Sequence, residues 1–381
     1  MVYPNIDSMQ TNRRDWLKKI GLASGLVLTG GVSIPTLSAA EKANFFPRAL
    51  ATPIRLNSNE NPYGPSKLVR DTMIKSFDFS CRYPSSYVKG LVAKIAEKEG
   101  VTKDHIVITG GSTEGLKLTG LTYAANGGKI IAAKPTFLAM MSFAEKMGAT
   151  IDWVPVDKQM KYDLDEIDRR IDDETSLVFL CNPNNPTGTI VSAERLTNFC
   201  ENASKKTIVF SDEAYYDYIE EPNYPSMVSL VKKDLDVIVS RTFSKVYGMA
   251  GLRIGYLIAK PSIAQRIKSN MVAFTNIPAI EAASAALDDN EFYDFSVSKT
   301  KECKQMIIST LKELNLNYTP SHTNFIFFET GMPIADFQSK MKKEGLNVGR
   351  PFPPFDRWCR ISTGTIEEIE LFNEALRKIL A

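Results

Sequence analysis

The chain has 381 residues, 44% of them hydrophobic and 24% charged, which excludes the disordered and fibrous classes. Lys plus Arg number 46 against 44 Asp plus Glu, and a net charge of +2 leaves no electrostatic footprint for a nucleic-acid partner. With 22 Gly and 20 Pro no low-complexity segment dominates, and the length allows a large core without disulfide or metal staples.

Residues 11–40 read TNRRDWLKKIGLASGLVLTGGVSIPTLSAA. Basic residues (Arg13, Arg14, Lys18, Lys19) precede a weakly apolar run from Ile20 to about Val32, and the small residues Ser38, Ala39 and Ala40 follow. That is the three-part layout of an export signal. The paired arginines before Asp15, Trp16 and Leu17 resemble a twin-arginine signal, with Asn12 where Thr or Ser is more usual. The expectation is a signal over residues 1–40, cleavage after Ala40, twin-arginine export machinery as a partner, and a periplasmic mature protein. The alternative is a basic amphipathic N-terminal helix on a cytoplasmic protein. The cysteines (Cys81, Cys181, Cys200, Cys303, Cys359) are odd in number and widely spaced, and His105 and His322 are the only histidines. No disulfide framework and no metal site are expected.

Beyond the signal, short β-rich runs alternate with helical stretches. Residues 105–109 read as a strand, followed by a Gly-Gly-Ser turn and a helix over about 113–125. Strands are expected over 129–133, 151–156, 176–181, 207–210 and 236–240, with a helix over 137–147. These strands are continuous apolar runs, as in buried parallel sheets. The fold class is therefore α/β, a mostly parallel central sheet flanked by helices. After Pro261 a long helical region (about 262–314) leads to strands at 324–329 and 359–362 and a final helix from Glu367, a smaller α+β domain. The expected division is an N-terminal segment over 41–80 packing with the small domain, a large domain over 81–262, and a helical connection with the small domain over 263–381.

Four segments carry the chemistry. In SRTFSKVYGMAGLRIGYLIA (residues 240–259), Lys245 follows a strand, with hydroxyls at Thr242 and Ser244 and a guanidinium at Arg253. A lysine in so apolar a setting has a lowered pKa and attacks carbonyls, and hydroxyls with a guanidinium suit a phosphate. In FSDEAYYDY, Asp212 ends a strand; taken alone it reads equally as a helix cap or as a carboxylate aimed at a ring nitrogen. CNPNNPTG (181–188) is a rigid turn after a strand, and GGSTEG (110–115) is a glycine turn at a helix N-terminus, a ready phosphate cradle. All four lie at the C-terminal ends of expected parallel strands, where open α/β sheets bind ligands.

As a set, T-x-S-K with Arg eight residues on, N-P-x-N-P-T-G and D-E-A-Y resemble the fold-type I pyridoxal-phosphate enzymes, and among them the class I/II aminotransferases. Residues 55–66 (RLNSNENPYGPS), 82–84 (RYP) and 360–365 (RISTGT) are similar to the histidinol-phosphate aminotransferase-like branch. The resemblance implies pyridoxal 5′-phosphate as cofactor, held by Lys245, whose amine then moves the substrate proton. It implies Asp212 at the pyridine nitrogen, Asn185 and Tyr215 at the ring's 3′ oxygen, and Thr242, Ser244 and Arg253 with Ser112 and Thr113 at the phosphate. Phe137 would stack on the ring, its bland alternative being core packing. Arg360 would clamp the substrate carboxylate and Asn61 would bind the substrate, Asn59 and Asn61 both lying in a segment that folds over the site. Tyr83 would reach the neighbouring subunit's cofactor phosphate, which implies a homodimer.

The implied activity is transfer of an amino group from an amino acid, histidinol phosphate or a related amine to a 2-oxo acid. The alternatives are a lyase, decarboxylase or oxidase using the same Lys245–Asp212 pair, and a non-catalytic binding protein. One departure bears on the substrate. The histidinol-phosphate enzymes typically read valine-arginine where Gly349 here separates Val348 from Arg350, before a Phe-Pro-Pro-Phe run. A different side-chain pocket is expected.

Overall fold

The computed structural model describes residues 53–380; the signal expected over 1–40 lies outside the described residues. The first strand, β1 (Ile54–Arg55), stands apart from the main sheet. The main sheet has seven strands: β2 (Ile106–Thr109), β3 (Lys129–Lys134), β4 (Thr150–Pro155), β5 (Thr175–Cys181), β6 (Ile208–Asp212), β7 (Val237–Thr242) and β8 (Gly255–Ala259), in the spatial order β2-β8-β7-β6-β5-β3-β4. Only β8 runs against its neighbours β2 and β7, so the other six strands end along one edge.

Side chains alternate across the sheet. Val178, Leu180, Val209 and Val237 enter the core on one face, while Leu177, Phe179, Phe210 and Ile238 enter the core on the other. Phe179 and Phe210 stack with centroids 5.8 Å apart. Burial on both faces explains why these strands read as unbroken apolar runs. Strand β8 (GYLIA) is equally apolar, but it follows the Lys245 loop with few turn residues and was not expected as a separate element. The helix expected over 137–147 starts later, at Ala139, and closes in a 3₁₀ turn over Glu145–Met147.

The helical region after Pro261 is three helices, Pro261–Lys268, Ile277–Ala286 and Asn290–Glu313. Each boundary has a local cause. Pro261 and Pro278 occupy first-turn positions, where a missing N–H costs nothing. Asn276 and Asp289 cap the following helices by accepting from Ala279 and Phe292 N–H. Two small sheets complete the fold. Strand β9 (Phe325–Glu329) pairs antiparallel with β11 (Trp358–Ser362), and β1 pairs parallel with β10 (Leu346–Asn347). A third core gathers Leu56, Ile307, Ile326, Phe328, Phe337 and Phe372. This core therefore joins the segment around Leu56 to elements beyond residue 300. That junction carries residues 57–61 across the edge where the parallel strands end.

Candidate active site

One cavity of about 550 Å³ lies at that edge, lined by residues from the ends of β2, β5, β6 and β7 and from the segments 57–60 and 348–360. Four cationic side chains line it (Lys245, Arg253, Arg350, Arg360) against two carboxylates (Glu60, Asp212). Glu60 is already paired with Arg55 at 3.0 Å. The excess of positive charge suits an anionic occupant.

After β2 the chain turns through Gly110 and Gly111 into the helix Ser112–Ala124. Gly111 has φ +85°, and a Cβ there would lie 2.4 Å from the Arg253 guanidinium. Glycine is thus required for the guanidinium to lie against this helix start. Arg253, itself left-handed (φ 55°), donates to Ala250 O at 2.8 Å. Ser112, Thr113, Ser244 and Arg253 line the cavity together, a helix N-terminus and a cation facing one space. Thr242 does not line it. Its hydroxyl accepts from Ser244 N–H at 3.1 Å and so shapes the loop.

Asp212 ends β6 and is only 2% exposed. Burial pushes its carboxyl up to about 7, opposed by the Ala214 N–H and by Lys245. Its Oδ1 is buried without a hydrogen-bond partner, yet Asp212 lines the cavity. An unpartnered buried carboxylate oxygen is costly, and a protonated ring nitrogen would satisfy it. Lys245 lines the same cavity; its Nζ donates to Asn59 O at 2.8 Å and lies 5.4 Å from the Tyr215 ring centroid. Burial, then repulsion from Arg360, brings the Lys245 amine down to about 8. Phe137 is half-buried on the wall, and Asn185 reaches Tyr215 Oη at 3.4 Å. The loop behind Asn185 is held rigid because Asn184 accepts from Thr136 and donates to Pro135 O and Thr187. The orphaned Asp212 oxygen, the Gly111–Arg253 cradle and the depressed Lys245 amine fit pyridoxal phosphate.

Arg360, on β11, is 8% exposed and has no carboxylate partner among the described residues. It donates to Asn185 Oδ1 at 2.7 Å and Asn57 O at 2.8 Å, while its Nε is buried without a partner. A buried cation with an unused N–H is suited to a carboxylate.

Besides Thr242, two further expected residues sit elsewhere. Asn61, expected at the substrate, does not line the cavity. Its amide donates to Val246 O at 2.9 Å and Ser296 Oγ at 2.6 Å, and its oxygen accepts from Tyr63 N–H. Its hydrogen-bonding groups are therefore engaged in anchoring the chain beside Lys245. Tyr83 is 88% exposed and outside the lining of this single chain.

Asn59 proves more central than its sequence position suggested. Its N–H donates to Ser362 Oγ, its Oδ1 accepts from the same hydroxyl, its amide donates to Tyr215 Oη at 2.9 Å, and its carbonyl accepts from Lys245 and Asn324. Its φ of 52° is one that asparagine tolerates better than most residues. Gln338 and Asn324 were not anticipated, because single polar residues in such elements carry no motif, and Ser362 was read only as part of RISTGT with no role of its own.

Residues 51–376 match the family model for aminotransferase class I and II. The chain belongs to this aminotransferase family. It is 36% identical over 332 residues to the histidinol-phosphate aminotransferase of Moorella thermoacetica, covering 86% of each chain. The corresponding enzyme of Halalkalibacterium halodurans is 34% identical over 335 residues, 87% of this chain and 90% of the relative. Among solved structures, the histidinol-phosphate aminotransferase of Sinorhizobium meliloti in complex with pyridoxal-5′-phosphate superposes with a TM-score of 0.79 at 25% identity, covering 99% of both chains. This aminotransferase is a pyridoxal-phosphate enzyme that transfers amino groups between amino acids and 2-oxo acids.

The raised Asp212 carboxyl predicts a pH dependence. In cofactor-free protein the folded state keeps this proton from pH 4 up to about 7, where the unfolded chain has lost it. Stability should therefore fall as pH rises through that window, by roughly 4 kcal/mol from this group. Urea midpoints at pH 5 and pH 8 should show a decline in the native protein that is steeper than in Asp212→Asn. Equal declines would remove Asp212 as its source.

Proposed function

We propose that the cavity works as the active site with Lys245 as the proton carrier, Asp212 as the ring-nitrogen partner and Arg360 as the carboxylate clamp. The observation that carries this is that Lys245 and Asp212, both out of bulk water, line one cavity with the Gly111–Arg253 cradle. Pyridoxal phosphate, when bound, supplies the electron-withdrawing ring that stabilises charge at the substrate Cα. Asp212, ionised beside a cationic nitrogen, keeps that nitrogen protonated. The Lys245 amine, brought to about 8, both takes and returns a proton near neutral pH. Tyr215 and Asn185 present a hydroxyl and an amide to the ring oxygen, and Phe137 bounds the ring face. Ser112, Thr113, Ser244 and Arg253 hold the phosphate end.

Arg360 receives the donor's α-carboxylate, or the anionic group that stands for it in histidinol phosphate, the donor that the relatives' names bring forward. Arg350 is the second cation on the substrate side. It has no carboxylate partner among the described residues and stacks 4.3 Å from the Phe352 centroid. We assign it to a second anionic group on the donor side chain. A homodimer is supported by the exposed apolar run Ile74, Phe77, Phe79 and Tyr83. Periplasmic location through the twin-arginine machinery is supported by Arg13, Arg14 and the run that follows.

Arg360→Lys removes the planar fork but keeps the charge. The Michaelis constants for amino donor and 2-oxo acid should rise together by about 10- to 100-fold, from the loss of charge-assisted hydrogen bonds. Unchanged constants would take Arg360 out of the site. Replacing Arg13 and Arg14 by lysine should leave the protein in the cytoplasmic fraction; unimpaired appearance in the periplasm would refute the export reading.

A further inference from the structure

The glycine that separates Val348 from Arg350 is held in an unusual way. A Cβ at position 349 would lie 2.3 Å from the Arg360 carbonyl oxygen, so no other residue fits without moving backbone. The Gly349 N–H donates to that same carbonyl at 3.1 Å. On its other side the Gly349 carbonyl accepts from Gln338 Nε2 at 2.7 Å. Gln338 comes from the helix Ile334–Lys343, whose Phe337 and Met341 are buried in the third core. Gln338, Val348, Arg350 and Arg360 all line the cavity.

The two arginines differ in what fixes them. Arg360 lies within the β9–β11 ladder, opposite Phe327, and its backbone needs no further support. Arg350 lies beyond β10 in a segment without ladder partners; at the preceding residue the Gly349 N–H meets the Arg360 carbonyl and lies near the Cys359 thiol, and the Gly349 carbonyl is held by the Gln338 amide. Its guanidinium shares the Phe352 ring with that of Arg360, at 4.3 Å and 5.1 Å from the centroid. Its only hydrogen bond among the described residues is to Pro351 O, at 3.0 Å.

We propose that Gln338 is a positioning residue for substrate specificity: it pins the Gly349 carbonyl and thereby sets where Arg350 meets the second anionic group of a donor. The inference rests on the reading of Arg350 given above. Gln338 acts on the far end of the substrate only. The α-carboxylate end depends on Arg360, which the sheet already holds. The enzyme's preference for donors with two anionic groups over donors with one therefore depends on a neutral side chain that touches neither charge.

The test is equilibrium binding of glutarate and of butyrate to the cofactor-loaded enzyme by calorimetry. Gln338→Met removes the donor at similar size. It should weaken glutarate about five- to tenfold, the effect of one hydrogen bond, and change butyrate less than twofold. Arg350→Met should weaken glutarate selectively, and the double variant Gln338→Met/Arg350→Met should be no worse than Arg350→Met alone. Equal weakening of both ligands by Gln338→Met would reduce Gln338 to a structural role and overturn the proposal. So would glutarate binding that Arg350→Met weakens and Gln338→Met leaves unchanged. If Arg350→Met leaves glutarate unchanged, the reading of Arg350 itself fails and this inference falls with it.

Discussion

A carboxylate held out of water at the end of β6, with one oxygen left unpartnered, is the constraint from which the rest of the site follows. Burial raises the Asp212 carboxyl to about 7 even against the Ala214 N–H and Lys245, and folding gives Oδ1 no hydrogen-bond donor. Such a group is stable as an anion only when a cation is brought to it. The cavity supplies positive charge around its walls but no donor to this oxygen, which we assign to the ring nitrogen. The Lys245 amine shows the opposite effect of the same environment: desolvation weakens its hold on a proton, which suits it to carry one.

The segment around Asn59 ties these groups to the substrate side. One residue hydrogen-bonds to Lys245, Tyr215, Asn324 and Ser362, and its neighbour Asn57 accepts from Arg360. The Tyr215 hydroxyl, the Lys245 amine and the Arg360 guanidinium, to which we assign the ring oxygen, the proton and the carboxylate, are thus registered through a short polar stretch. Leu56, buried in the third core, anchors that stretch from behind. Asn61 performs a related task at one remove, fixing the backbone at Val246.

The sheet and most of the residues that line the cavity were legible in the sequence because they obey simple rules. Buried parallel strands read as apolar runs, and the residues after them are the ones that face a ligand. Lys245, Asp212, Asn185 and Arg253 all fall there. Strand β8 was hidden because it returns antiparallel with few turn residues to mark it. Asn61 was misplaced because its spacing from Asn59 does not show which of the two amides enters the cavity; only the positions of Ser296 and Val246 decide that. Gln338 was invisible because a glutamine on an amphipathic helix looks like solvated surface, and the carbonyl it holds belongs to a glycine more than ten residues away.

The most direct test of the central claim is where the cofactor becomes fixed. Borohydride reduction of the enzyme loaded with pyridoxal phosphate, followed by digestion and mass spectrometry, should place the reduced pyridoxyl group on the peptide containing Lys245. No such label should form in Lys245→Ala. A label on another lysine, or undiminished labelling of the variant, would contradict the account.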